Sequence, residues 1–187
     1  MLCLTGSRSL EPAVFPFSFL PDRFVSLPDL DHTVFLRRTF DIAAKAAEEG
    51  SHPFGAIVVG ADGTILLEQG NAYLPDHDMT GHAERVIATR ASKAYRPEEL
   101  AGATLYSSAE PCAMCAGAAY WAGIGRIVYG LSEARLKTIT GNHPENPTLD
   151  MPCREVLATG QRTVEVVGPM LEDEAAEMHL TFWASRA

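Results

Sequence analysis

His82-Ala83-Glu84 and Pro111-Cys112-Ala113-Met114-Cys115 are two short segments separated by residues 85–110, and together they carry one imidazole and two thiols. That donor set suits a tetrahedral zinc ion. For one ion to take all three donors, the two segments must end at one point in space, and every element around them has to allow it. A zinc that supports hydrolysis holds three protein ligands and leaves its fourth position to water. His82, Cys112 and Cys115 supply the three. Glu84, two residues beyond the histidine, brings a carboxylate beside that water, where it can take a proton and hand it to a leaving group.

The spacing is consistent with this meeting. Pro111 fits the first turn of a helix, where a missing N–H costs nothing, and Cys112 and Cys115 then stand three apart on one helical face. Thr80 and Gly81 are N-caps for a second helix carrying His82, Glu84, Val86, Ile87 and Ala91. The interval holds the rest of that helix, a turn and a strand at 104–108, so two helix N-termini flank one strand end. A lone Cys-x-x-Cys is more often a redox pair or half of a structural zinc site. A redox pair leaves His82 and Glu84 without a role, and a closed structural zinc wants a fourth Cys or His nearby. Cys3 and Cys153 lie far off and read as ordinary cysteines. His143, between Asn142 and Pro144, reads as a surface or substrate-loop residue.

Taken in order, the chain predicts a helix from Asp31 to Gly50, with Val34, Phe35, Ile42, Ala43, Ala46 and Ala47 at helical spacing. Strands follow at 54–60 and 65–71, joined across Ala61-Asp62-Gly63-Thr64, an Asp-Gly hairpin signal. Beyond the Cys-bearing helix come a strand at 126–130, a short helix at 132–137, a strand at 163–167 and a C-terminal helix from Glu172 to Ser185. Strands alternate with helices, so parallel pairing is expected to dominate. The fold class is α/β, a five-stranded mixed sheet with helices on both faces. The chain's 187 residues, 47% of them hydrophobic, fit one domain over 31–187, with residues 1–30 as an extension. The apolar run Val14–Leu20 is broken by Pro16 and suits neither a membrane span nor a signal peptide.

Fifteen basic against twenty-four acidic residues give a net charge of −9, which repels phosphate backbones and argues against a nucleic-acid surface. Small-molecule substrates fit better. Four cysteines, two assigned to metal, form no disulfide framework, and the cytoplasm is the simplest compartment.

The pattern His-x-Glu followed by Pro-Cys-x-x-Cys is the signature of zinc deaminases, and at these residues the chain resembles the cytidine deaminase-like superfamily. The run Ser107–Ala118, followed by Tyr120-Trp121, looks most like its guanine deaminase and nucleoside deaminase branch. The tRNA adenosine deaminases share Glu110 to Ala118 in pattern but not Trp121. The resemblance implies a three-layer α/β/α fold, a homodimer, Zn2+ as cofactor and hydrolytic release of ammonia. It implies that Asn71, at a strand end, binds substrate and that Pro53-Phe54-Gly55-Ala56 approaches it; the aromatic face of Phe54 can stack on a ring or belong to the core, and Ala56 can offer a backbone N–H. Glu110 falls at the pocket edge, where anchoring a turn is its plainer role.

The guanine deaminase pattern tends to place a Phe-Asp-Asp or Phe-Asp-Glu run after the short helix. Thr140-Gly141-Asn142 stands there instead, with Glu145 the nearest substitute. In related deaminases the C-terminal segment closes over a pocket, which brings Phe182 and Trp183 into view. The expected substrate is thus a free base or small aminated heterocycle, guanine-like, with triazines and nucleosides open. Alternatives are tRNA adenosine, cytosine or cytidine deamination, and outside catalysis a structural zinc or redox module.

Overall fold

The computed structural model describes residues 27–186, so most of the extension expected at 1–30, and Cys3 with it, lies outside the described part. The first helix, α1 (His32–Glu48), begins where the Asp31 carboxylate accepts the Thr33 N–H at 3.0 Å, as a short polar N-cap should. It ends before Gly50, whose φ of 88° favours glycine. The hairpin of β1 (Gly55–Val59) and β2 (Ile65–Gly70) turns on Asp62, whose carboxylate accepts the Thr64 N–H at 2.9 Å. Next come α2 (Ala83–Ala94), α3 (Pro97–Ala101), β3 (Thr104–Ala109), α4 (Ala113–Ala122) and β4 (Arg126–Leu131). The chain continues through α5 (Glu133–Thr140), α6 (Cys153–Ala158), β5 (Glu165–Val167) and α7 (Glu172–Ala184).

The five strands form one sheet in the order β2-β1-β3-β4-β5. β1 runs antiparallel to both β2 and β3, while β3–β4 and β4–β5 are parallel. The pairing is therefore evenly divided, a correction to the expected parallel dominance. The hairpin fixes one antiparallel pair, and the connection through α2 and α3 then lays β3 on the other side of β1 in the opposite sense. Two helices escaped the sequence reading. α3 and α6, of five and six residues, are too short for a 3.6-residue period to show. Pro97 followed by Glu98 and Glu99 was the available signal for α3.

All five residues of β1 are buried, as a strand covered on both faces requires. Ile57 and Val59 pack with Leu36 of α1, Tyr106 and Val128. Ala56 and Val58 face the other way, into a core with Leu105, Ile127 and residues of α2 and α4. Full burial of each large aliphatic side chain here contributes about 1.5–3 kcal/mol. The architecture is the three-layer α/β/α arrangement with a five-stranded mixed sheet. Within the second core α2 and α4 are in contact and contribute mostly small side chains, Ala83, Ala88 and Ala91 beside Ile87 from α2 and Ala116 and Ala119 from α4. Side chains this small let the helix backbones approach closely, and their N-termini converge at the end of β3. No helix among the described residues is long and apolar enough to cross a membrane.

Candidate active site

His82 and Cys112 are not inside their helices. Each is the N-cap residue, with extended backbone and no side-chain cap hydrogen bond. This corrects the expectation that Thr80 or Gly81 caps α2 and that Pro111 sits in the first turn of α4. The side chain of an N-cap ordinarily folds back onto its own helix. Here both are directed at each other instead. Gly81 sets the histidine's place: the Ala72 N–H bonds to its carbonyl at 2.7 Å, and a Cβ on it would lie 2.4 Å from the Ala72 carbonyl oxygen.

The His82 Nδ1 lies 3.7 Å from the Cys112 Sγ and 3.6 Å from the Cys115 Sγ, and one donor atom from each of the three residues falls within 4.8 Å of the others. Bond lengths of about 2.3 Å to sulfur and about 2.0–2.1 Å to nitrogen give a tetrahedral zinc centre N···S edges of about 3.6 Å. The donors therefore already stand at the separations a zinc ion imposes. Cys112 is the thiolate of the pair, its pKa held at about 4 by the hydrogen bond from Cys115 and by the adjacent His82. Cys115, hydrogen-bonded to Cys112 and buried, is pushed up. His82 is in turn raised, first by its bond to Cys112.

Glu84 is 4% exposed. Its Oε1 accepts the Ser107 hydroxyl at 2.7 Å, and its Oε2 lies 3.7 Å from the Cys115 Sγ. Burial raises its pKa above the ordinary carboxylate value, against the opposing pull of His82 and Ser107. Ser107 lies in β3 and was not singled out in the sequence, since a serine in a strand carries no signal of what it will touch. Glu110 takes the anchoring role read for it, though on other elements: its carboxylate accepts the backbone N–H of Glu133 at 3.1 Å and of Cys153 at 2.9 Å. It thereby ties the first residues of α5 and α6 to the end of β3.

A cleft of about 210 Å³ opens over these groups. One wall carries His82, Glu84, Cys112 and Met114; another carries Phe54; the remainder comes from Glu133 and Leu136 of α5 and the loop residues Asn146–Leu149. Glu133 is 8% exposed, and burial, then the charges of Cys112, Glu110 and Glu84, raise its pKa to about 7.

Of the three substrate residues read from the sequence, only Phe54 lines the cleft. Ala56 is fully buried between β2 and β3. Asn71 bonds through its N–H to the Phe54 carbonyl and accepts the Tyr73 N–H on its Oδ1. Glu145 turns away, to His52 at 3.2 Å and Arg186 at 2.9 Å, and His143 bonds to the Arg186 carbonyl at 3.2 Å. Trp183 stacks on His52, so the C-terminal aromatics act behind the cleft and not within it.

The family description "Cytidine and deoxycytidylate deaminase zinc-binding region" matches residues 30–131. The chain belongs to that family. It is a hydrolytic deaminase, and the family's zinc-binding region spans the His82, Cys112 and Cys115 donors. Among its relatives is the probable cytosine deaminase of Schizosaccharomyces pombe, 41% identical over 149 residues, which cover 80% of this chain and 90% of the relative. The guanine deaminase of Bacillus subtilis is 38% identical over 101 residues, 54% of this chain and 64% of the relative. In three dimensions the chain is similar to guanine deaminase from Nitrosomonas europaea, with a TM-score of 0.69 at 21% identity over 84% of this chain and 87% of that one. That likeness extends to the fold.

Proposed function

We infer that this deaminase releases ammonia from a free nucleobase by zinc-dependent hydrolysis, with cytosine the foremost substrate. The cleft carries the reading: about 210 Å³ in volume, it has three metal-binding donors and a buried carboxylate on one wall. Sites for drug-sized ligands run to about 300–1,000 Å³, so this one suits a single flat ring system. His82, Cys112 and Cys115 would hold the zinc, which would supply Lewis-acid chemistry that lowers the pKa of water toward about 7.

Glu84 takes the proton of the attacking water as oxygen adds to the ring carbon bearing the amino group. It then delivers that proton to the amino nitrogen, which leaves as ammonia. Ser107 holds one carboxylate oxygen, leaving the other toward the donor triad to carry the proton. Phe54 offers an aromatic face on which the ring can lie.

Cytosine is favoured by the relative that matches this chain over nine-tenths of its length. The missing acidic run at 140–142 and the engagement of Glu145 with His52 and Arg186 weigh against guanine. Guanine stands second, on the shorter match to the Bacillus subtilis enzyme. RNA recognition draws on positive charge, and the cleft lining holds three glutamates and no lysine or arginine.

The test is ammonia release by zinc-loaded protein across cytosine, guanine, adenine, cytidine, guanosine and amino-triazines, with Glu84→Gln alongside. Cytosine turnover is expected, lowered about 10²–10⁴-fold in the variant while bound zinc is retained. Silence on every free base together with turnover of a nucleoside or of tRNA would overturn the reading.

A further inference from the structure

A second cavity, of about 220 Å³, is lined by none of the residues that line the active cleft. α6 supplies Arg154 and Leu157 to its wall, the turn that follows supplies Arg162 and Thr163, and Val164 and Val166 come from the start of β5. Its charge is opposite to that of the active cleft: two guanidinium groups and no carboxylate line it. In a chain of net charge −9, arginines find carboxylates readily, as Arg38 does with Glu68 at 2.7 Å and Arg126 with Glu165 at 2.8 Å. Among the described residues Arg154 and Arg162 have no such partner. Backbone carbonyls hold them instead. Arg154 donates to Val166 at 3.5 Å and Gly168 at 3.1 Å, and Arg162 to Ile124 at 2.8 Å and Tyr120 at 2.6 Å, with its guanidinium 4.8 Å from the Tyr120 ring centroid. A carbonyl oxygen positions a guanidinium but does not neutralise it. Arg162 is half-buried, and burial lowers its pKa, opposed by Tyr120 and by no carboxylate.

We propose that this cavity binds a small phosphate monoester. Each guanidinium has five N–H donors and spends two on the carbonyls, which leaves donors on both groups for a ligand. A phosphate monoester carries a charge of about −1.5 to −2 at neutral pH and three strong acceptor oxygens. The two oxygens of a carboxylate are taken up by one guanidinium fork, so a pair of guanidiniums from different elements suits the phosphoryl group better. The Thr163 hydroxyl is a further donor. Leu157, Val164 and Val166 form an apolar wall for the organic part. A cavity lined by charge of one sign also focuses its field outward and draws in the opposite charge. The site is separate from the chemistry of deamination. Arg162 meets the C-terminal end of α4 at Tyr120, while Cys112 caps its N-terminus. The ten residues of α4 between them span about 15 Å.

The experiment is calorimetric titration of the zinc-loaded protein with phenyl phosphate, inorganic phosphate and phenol at low salt. Wild type is expected to bind phenyl phosphate saturably, about 10-fold more tightly than inorganic phosphate because the ring covers the apolar wall, and to ignore phenol. Arg154→Gln and Arg162→Gln should each weaken phenyl phosphate by about 10–100-fold, the usual effect of losing hydrogen bonds to a charged group. Arg154→Lys, which keeps the charge and loses the fork, should fall between. Arg90→Gln removes the same charge from α2 and should bind as wild type does. Should Arg162→Gln lower the melting temperature of the free protein, Arg154→Gln decides, since Arg154 is exposed. Deamination by Arg154→Gln should match wild type. No saturable binding of either phosphate to wild type, or undiminished binding to Arg154→Gln, would overturn the site. Equal affinity for inorganic phosphate and phenyl phosphate would overturn the assignment of the apolar wall to an organic group.

Discussion

His179 shows how one buried side chain sets a property of the folded protein. It has no exposed surface, its Nδ1 accepts the Trp183 indole N–H at 3.2 Å, and its ring packs 5.1 Å from that of Phe54. With Nδ1 as acceptor, the hydrogen of the neutral ring sits on Nε2, for which no protein partner exists among the described residues. Burial lowers its pKa from 6.5 to about 4, because a charged imidazolium there would be stripped of water. The unfolded chain binds the proton near pH 6.5 and the folded chain only near 4. The stability tied to the neutral ring is thus fully present above about pH 6.5 and is lost as pH falls toward 4, by about 3 kcal/mol in all. Urea unfolding at pH 7.5 and pH 5 should reveal most of that loss, and His179→Phe should show a shallower dependence. Equal pH slopes in the two proteins would remove His179 from the account.

The elements around the cleft are held by a single acidic residue at a strand end. Glu110 follows β3 directly and accepts the first N–H of both α5 and α6, so it fixes the helix that presents Glu133 and the far end of the loop that carries Asn146–Leu149. Glu110→Ala leaves two buried donors unpaired at about 1–3 kcal/mol each, and Glu110→Gln leaves one. The urea midpoint should fall in both, about twice as far in the alanine variant, with KM for the base rising because the cleft wall loosens. Equal stability of the two variants would show that only one of the two bonds counts.

The same junction shows what could be read from sequence. The hairpin, α1 and α7 declare themselves through residue period, Asp-Gly and acidic helix starts, and the donors His82, Cys112 and Cys115 through their chemistry and spacing. Glu133 and Thr148 carry no such mark. A glutamate at a helix start looks like a solvated dipole partner, and a threonine between prolines and acids looks like a surface turn. Only the folding of the 141–152 loop over the sheet makes them part of a cleft.

At the scale of the whole molecule the acidic balance of the chain meets its metal site. The net charge is −9, and the cleft gathers Glu84, Glu110 and Glu133 around Cys112, with no lysine or arginine in its lining among the described residues. Acidic groups gathered in a poorly solvated space resist ionising together, and a divalent ion among them favours their charged forms. The three donors sit at the N-termini of α2 and α4, which pack on each other in one core, so an ion bound there also ties the two helices. Binding to the folded state alone stabilises it in proportion to the logarithm of metal concentration over Kd, about 4 kcal/mol at 1,000 times Kd. For a chain of this size each kcal/mol moves the melting temperature by about 2–4 °C. A chelator should therefore lower the melting temperature of the zinc-loaded protein by about 10 °C, and added zinc should restore it. The Cys112→Ser, Cys115→Ser double variant should melt at one temperature whether or not chelator is present. A wild-type protein indifferent to both chelator and zinc would mean that the ion, if bound, holds nothing together, and that packing alone keeps the two helix N-termini in register.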